Sequence, residues 1–415
     1  MISVLVNAYA CSPHWGSEPG MGWNWILALS KYCELYIITE GEWRDKIEEA
    51  LSSLPQKDTI HFFYLPVEPW VREICWNQGD WRFYYYYRKW QERALEQAHQ
   101  IMRQYPIDLV HQLNMIGFRE PGYLWRIEGL PFVWGPVGGM NLFPECYLAG
   151  AGFKYAFRLR LKNVLNKLQM RYYPRVRNAV RRADALLAAT PETQKVFQGY
   201  YQRDSFLISE TGCALGEYNL NVDRYSSKGR LDLLWVGRFF YAKQLNIALE
   251  TIANLRDLDV RLHIVGEGSA EETAYYKNLA SSLSVDDKCE WYGKVPHEDV
   301  FKLMQDAHIF FFTSVSEATS TVVLEALQCN LPVICFDTCG FGAVVNEKIG
   351  RKIKLSDPHA SARAFASVIR ELSKNRGILR ELSANCMNEI QKLSWDYKAK
   401  QVLSIYSQVL KKYGG

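Results

Sequence analysis

Thr313-Ser-Val-Ser-Glu317-Ala-Thr-Ser-Thr-Val-Val-Leu-Glu325-Ala-Leu-Gln-Cys-Asn-Leu-Pro-Val-Ile-Cys-Phe-Asp337 is the stretch whose reading decides the fold. It continues an apolar run, His308-Ile-Phe-Phe-Phe, that reads as a strand. A polar loop follows, then a helical pattern around Glu325, then a second strand-like run at Pro332-Val-Ile-Cys-Phe. Strand, loop, helix, strand is the repeating unit of a parallel sheet. Ligands bind such sheets at the carboxyl ends of strands, where helix N-termini point. Glu317 then falls at a strand tip and Glu325 about one turn into the helix, both facing one crevice. An exposed loop glutamate and a solvated helix glutamate fit the same spacing, so the rest of the chain must decide.

The same alternation extends in both directions. Short β-branched or aromatic runs at Val4, Leu35, His61, Leu109, Phe132, Ala185 and Phe206 alternate with longer helical patterns. After an aperiodic polar stretch the alternation resumes at Leu233, Leu262, Cys289, Ile309 and Val333. At 415 residues the chain is too long for one core. The expectation is an α/β protein of two Rossmann-like, doubly wound parallel-sheet domains facing across a cleft. Residues 1–213 form the first domain, 214–230 a linker and 231–390 the second domain. Residues 391–415 form a C-terminal helix crossing back to the first.

A net charge of +4 gives no global argument for nucleic acid, and no such partner is expected. The ten cysteines form no C-x-x-C pair, and several fall in apolar stretches, which fits reduced thiols in a cytosolic protein. The N-terminal residues run straight into a strand and lack the basic flank and apolar core of a signal peptide. No apolar run approaches the roughly 18 residues needed to span a bilayer.

Four loops carry candidate chemistry. The first strand leads into Gly16-Ser-Glu-Pro-Gly20, where glycines let backbone N–H groups approach a phosphate at a helix N-terminus. A plain structural turn fits those residues equally. The second domain opens with Val236-Gly237-Arg238 and Lys243, a planar fork and a mobile ammonium at a strand tip, suited to a diphosphate. Two surface cations capping a helix are the alternative. The turns Gly266-Glu-Gly268 and Gly293-Lys-Val295 would lie on the same sheet edge, where backbone groups could hold a nucleobase or merely turn the chain.

In this order the motifs resemble the GT-B glycosyltransferases of the large retaining family 4, the glycosyl transferases group 1. The first half agrees: Gly16-Ser-Glu-Pro-Gly20, Asp108-Leu-Val-His111-Gln-Leu-Asn114, Pro131-Phe-Val-Trp-Gly135-Pro-Val-Gly138-Gly139 and Glu210-Thr-Gly212 resemble bacterial polysaccharide members. The resemblance implies transfer of a sugar from a nucleotide-diphosphate donor to a glycan or lipid-linked acceptor, in surface polysaccharide or glycolipid assembly. Arg238 and Lys243 would bind the donor diphosphate and offset its charge, so that no metal or other cofactor is expected. Glu317 would face the donor sugar, and Glu325 would hold the ribose. Thr319, Ser320 and Thr321 would offer backbone N–H groups, Gly266 and Val295 would line the donor site, and Gly16 would approach the diphosphate. Asn114, Gly138 and Gly139 would lie on the acceptor side. The acceptor hydroxyl would attack from the face the diphosphate leaves, with retention of configuration.

Two departures from the family's usual pattern stand out. Ala318-Thr319-Ser320 replaces a common Gly-Phe-Gly, and Gln244 replaces a usual glycine after the lysine. Outside the motifs, residues 151–183 contain ten Lys or Arg and no acid, interleaved with aromatics and leucines. Such a segment suits an anionic membrane surface, on the inner face of the cytoplasmic membrane, or a solvated helix. The Trp- and Tyr-rich 70–90 segment reads either as an acceptor platform or as a core helix face. Two functions compete with sugar transfer: a nucleotide-sugar epimerase, and a partner subunit that keeps the fold but is catalytically silent. The first lacks a His/Asp set near Glu317; the second would be expected to have lost Arg238, Lys243 or the glutamates.

Overall fold

A computed structural model describes residues 1–76, 80–148, 150–216, 222–226 and 229–413. Thirteen strands and fifteen helices follow one another along the described chain. Strands β1 (Ile2–Ala8), β2 (Cys33–Thr39), β3 (Ile60–Tyr64), β4 (Leu109–Asn114), β5 (Phe132–Val137), β6 (Ala185–Ala188) and β7 (Phe206–Leu207) form one sheet in the order β3-β2-β1-β4-β5-β6-β7. Strands β8 (Leu231–Val236), β9 (Val260–Val265), β10 (Cys289–Gly293), β11 (Ile309–Phe312), β12 (Val333–Phe336) and β13 (Gly350–Ile353) form the other, in the order β10-β9-β8-β11-β12-β13. The pairings are parallel, as between β1 and β4 and between β8 and β11. Both orders reverse at the first strand of the set, which is the doubly wound pattern. Central strands such as β4, β5, β11 and β12 are buried on both faces, which is why they read as unbroken apolar runs.

The helices are α1 (Ser17–Leu29), α2 (Arg44–Ser52), α3 (Pro69–Trp76), α4 (Trp81–Gln104), α5 (Phe153–Tyr172), α6 (Pro174–Arg182) and α7 (Pro191–Tyr201), then α8 (Leu245–Ala253), α9 (Ala270–Ser282), α10 (His297–Asp306), α11 (Thr321–Gln328), α12 (Cys339–Val344), α13 (Pro358–Lys374), α14 (Arg376–Gln391) and α15 (Trp395–Tyr413). Their starts follow local chemistry. Ser269 and Glu272 form a reciprocal capping box on α9, and Asp357 caps α13 ahead of Pro358. Among the described residues no helix is long and apolar enough to cross a membrane.

Backbone contacts divide the chain into two units. The first holds residues 1–140, 165–211 and 395–415. Its core joins β1, β2, β4 and α1 to Val402, Ile405 and Tyr406 of α15, and Trp25 meets Trp395 edge to face at 5.6 Å. The second unit holds residues 141–164 and 212–394. Residues 141–164 group there because Tyr147 packs edge-on against Phe336 and its hydroxyl reaches Ser361 Oγ at 2.7 Å. The aperiodic stretch at 214–230 is more than a tether. Residues 217–221 and 227–228 of it lie outside the described residues, but a 3-10 turn at Val222–Tyr225 is anchored. Arg224 donates to the carbonyls of Met304, Gln305, Cys329 and Asn330. Strand β13 is absent from the sequence reading. It is an edge strand whose Arg351 and Lys352 break any apolar run, their charges answered by Glu347 and Asp337.

Candidate functional site

In the second unit the switch point lies between β8 and β11. The segments leaving the carboxyl ends of those two strands carry Arg238, Lys243 and Glu317. Lys243 ends a 3-10 turn, Tyr241–Lys243, that follows β8. Its ammonium pairs with the Glu317 carboxylate and lies 5.1 Å from the centre of the Phe312 ring at the end of β11. Both partners are mostly buried, at 19% and 18% side-chain exposure. Ser314 Oγ donates to Glu317 Oε1 at 2.9 Å, so the carboxylate is held from two sides. The Glu317 carbonyl accepts from Asn141 Nδ2 at 3.1 Å, and its amide faces Cys339 Sγ at 3.4 Å. Arg238 is exposed, its guanidinium stacked 4.5 Å from the Phe240 ring centre.

Thr319 and Ser320 are buried in the loop before α11, and Thr321 begins that helix. Ser320 is the N-cap residue, yet its side chain makes no capping bond, so the first-turn amides are not closed by that hydroxyl. Gly340 at the start of α12 makes room for this loop: a side chain there would collide with Thr319. Glu325 is the fifth residue of α11, and its Oε1 lies 3.1 Å from His297 Nε2 of α10. The two glutamates therefore have separate partners.

The neighbouring turns knit through backbone. Gly237 N donates to Val265 O, and Gly266 N donates to Gly293 O. Gly266 has a φ of +134° and sits so close to the Gly237 carbonyl that a side chain would clash. Its glycine is demanded by packing, and its amide is committed to Gly293. Val295 packs partly against the core of this unit. Gln244 is a second backbone special, at φ 50° and ψ 48°, the left-handed region that favours glycine. Its Nε2 donates to Tyr241 O at 2.7 Å. The Asp257-Leu-Asp259 sequence lies in the turn before β9, where Asp257 accepts from Arg370 at 2.8 Å; that cation holds its carboxyl down at about 2.

The remaining candidates belong to the first unit. Gly16 is the N-cap of α1, and a Cβ there would meet no atom within 4 Å. Gly20 and Gly22 answer to packing instead, pressed on the Trp15 and Ala10 carbonyls. Asn114 is buried at the end of β4 with both amide atoms committed, Nδ2 to Ala10 O at 2.7 Å and Oδ1 from Ala10 N at 3.2 Å. It fixes the loop after β1. Gly138 N donates to Ile116 O at 2.8 Å, and Gly139 has a φ of +76°. Glu18, inside the Gly16–Gly20 motif, accepts from Ile116 N. The sequence reading assigned it no role, and neither did it single out Ser314, Asn141, His297 or Cys339. Only His297 had a visible signal, as the residue after the Gly293-Lys-Val295-Pro turn.

Residues 222–392 match the family model "Glycosyl transferases group 1". Curated relatives include a D-inositol 3-phosphate glycosyltransferase of Streptomyces bingchenggensis, 26% identical over 250 residues, covering 56% of this chain and 54% of the relative. A phosphatidylinositol N-acetylglucosaminyltransferase component of Arabidopsis thaliana is 25% identical over 44% of this chain and 39% of its own length. The chain thus spans about half the length, or less, of the curated relatives it matches. Among solved structures, sucrose-phosphate synthase of Thermosynechococcus elongatus superposes with a TM-score of 0.62 at 16% identity, covering 99% of this chain and 100% of that one. Anabaena HepE in complex with UDP-glucose gives 0.58 at 15% identity, covering 98% and 100%. The chain therefore has the two-unit GT-B fold and carries a glycosyl transferases group 1 domain over residues 222–392.

Proposed function

We propose that this protein is a retaining, metal-independent glycosyltransferase acting in surface polysaccharide or glycolipid assembly. It moves a sugar from a nucleotide-diphosphate donor to a hydroxyl of a glycan or lipid-linked acceptor. The observation that carries this reading is the Lys243–Glu317 pair between the segments that leave β8 and β11. It sets a mobile cation and a carboxylate side by side at the edge where parallel sheets receive phosphorylated ligands. Lys243 and Arg238 supply the positive charge that a departing diphosphate demands, and the α11 N-terminus adds its amides. Glu317 faces the sugar, and Glu325 with His297 takes the ribose. In the reaction the bond from C1 to the diphosphate oxygen breaks with its electron pair going to the diphosphate. The bond from the acceptor oxygen to C1 forms on the same face, and a phosphate oxygen receives the acceptor's proton. The name of the Arabidopsis thaliana relative, which specifies phosphatidylinositol, supports a lipid-linked acceptor.

A thermal-shift panel of UDP, GDP, dTDP and ADP sugars tests the donor class. A ligand at about 100 times its dissociation constant adds roughly 2.7 kcal/mol of stability. No shift with any of the four would refute the reading. Arg238→Ala should cost on the order of 100-fold in turnover, with chelator present throughout. Activity within threefold of wild type would remove Arg238 from the diphosphate site.

The membrane is the second partner, on the inner face of the cytoplasmic membrane. Phe153, Phe157, Leu161, Val164, Leu165, Leu168 and Tyr172 are all exposed, at helical spacing along α5, with Phe153 at 85%. The buried residues of the same helix include Asn163 and Asn166, tied to Phe143 and Arg119. Ala156 and Met170 are buried beside them, so the helix exposes an apolar stripe in addition to the face it packs, which an ordinary water-facing helix does not do. Lys154, Arg158, Arg160 and Lys162 flank the apolar stripe, as an anionic bilayer surface requires.

A further inference from the structure

Three indoles from separate segments meet on the first unit. Trp15 lies in the loop after β1, Trp43 at the N-cap of α2 after β2, and Trp76 at the end of α3 after β3. Each therefore leaves the carboxyl edge of the sheet, the edge that carries ligands in doubly wound folds. Ring centres are 6.1 Å apart for Trp15–Trp43, 5.4 Å for Trp15–Trp76 and 5.5 Å for Trp43–Trp76. Yet Trp15 and Trp76 remain 53% and 49% exposed. Burial alone does not account for three tryptophans that pack together and still face water.

The cluster is built rather than loose. Gly20 lets the first turn of α1 press on the Trp15 carbonyl, where a side chain would clash. Glu42 accepts from Trp76 Nε1 through both oxygens, at 3.0 and 3.1 Å, which pins that ring. Beside it Glu40 is held by Arg72 at 2.6 Å.

We propose that Trp15, Trp43 and Trp76 form a stacking platform for a neutral saccharide, with Glu42 as hydroxyl acceptor at its rim. Pyranose rings present apolar C–H faces to indoles and hydroxyls at their edges to carboxylates. Carboxylate chemistry decides among the occupants. A nucleotide phosphate or an anionic lipid head would meet Glu42 as a like charge, whereas a sugar hydroxyl donates to it. This names the acceptor class under the transfer reading above, but the binding surface stands without that reading.

The test is retention on a microarray of neutral and acidic glycans, comparing wild type with Trp15→Ala/Trp76→Ala and Trp15→Phe/Trp76→Phe. Half-exposed positions tolerate these changes, and circular dichroism checks the fold. Wild type should retain neutral glycans, the double alanine variant should lose about tenfold or more, and the phenylalanine variant should keep most of the binding. The thermal shift produced by nucleoside diphosphates should be the same in all three. Equal glycan retention by wild type and the alanine variant overturns the proposal, as does no retention by wild type. So does loss, in the alanine variant, of binding to phosphatidylglycerol vesicles or to a nucleoside diphosphate. Should nucleotide sugars fail to bind wild type while glycans bind through the tryptophans, the transfer reading falls and the platform survives.

Discussion

Replacing Glu317 by Gln should tighten binding of the free nucleoside diphosphate while slowing sugar transfer. Lys243 is already paired with Glu317, and both side chains are mostly buried. A diphosphate oxygen taking another proton of the same ammonium would stand about 4.6 Å from the carboxylate oxygen, since each sits about 2.8 Å from a nitrogen whose N–H bonds diverge tetrahedrally. Two unit negative charges at that distance repel by about 3.6 kcal/mol at an effective dielectric of 20 and by about 0.9 kcal/mol in bulk water. Gln keeps the oxygen that Ser314 donates to and removes the charge. Affinity for the free nucleoside diphosphate should therefore rise by a factor between about 4 and 400. The sugar-bearing donor gains less, because it loses the charged partner for its sugar, and turnover falls. Isothermal titration of wild type and Glu317→Gln with the nucleoside diphosphate chosen by thermal shift measures the first effect, and initial rates measure the second. An unchanged or weakened affinity would refute the reasoning. It would show that Glu317 positions Lys243 for phosphate and does not compete with it.

Three further outcomes are expected. His111 donates through Nε2 to the Gly135 carbonyl and accepts at Nδ1 from the Tyr406 hydroxyl, both at 2.6 Å, and burial pushes its pKa down to about 4. The folded value lies below the unfolded one of about 6.5, so this contribution is full above that pH and is lost as pH falls toward 4, by about 3 kcal/mol at most. Urea midpoints at pH 7.5 and 4.5 should show His111→Gln losing less stability over that interval than wild type; equal losses would contradict the assignment. Gln244→Gly relieves a left-handed residue at a gain of about 1 kcal/mol, while Gln244→Ala keeps the strain, and both forfeit the bond to Tyr241. The glycine variant should be the more stable in chemical denaturation, and equal stability would mean that Gln244 carries no strain. Phe157→Asp/Leu161→Asp on α5 should abolish flotation with anionic vesicles, since each apolar side chain contributes about 2 kcal/mol to burial in the interface. Failure of wild type to float at low salt would remove the membrane from the account.

What could be read along the chain follows from which interactions are local. A strand buried on both faces must be apolar throughout, so β4, β5, β11 and β12 announce themselves, while β13, paired on one side and carrying Arg351 and Lys352, does not. The cations after β8 and the glutamate after β11 were visible because strand ends and motif order locate them without knowledge of packing. Their partners were not. Asn141 reaches the Glu317 carbonyl across 176 positions, and His297 reaches Glu325 across 28. No periodicity relates residues joined only by the fold.

The glycines make the same division from the other side. Gly266 and Gly20 look alike in a motif, as backbone that a ligand, nucleobase or phosphate, could approach. Both are required by neighbouring carbonyls, whereas Gly16 has open space where its Cβ would be. A glycine that packing does not explain is the better candidate for ligand approach, so Gly16→Ala should leave stability near wild type and report on binding alone. Gly266→Ala should unsettle the turn after β9 whether or not a nucleotide ever binds there. Equal stability losses in the two variants, measured by thermal unfolding, would erase the distinction on which Gly16 remains in the candidate site.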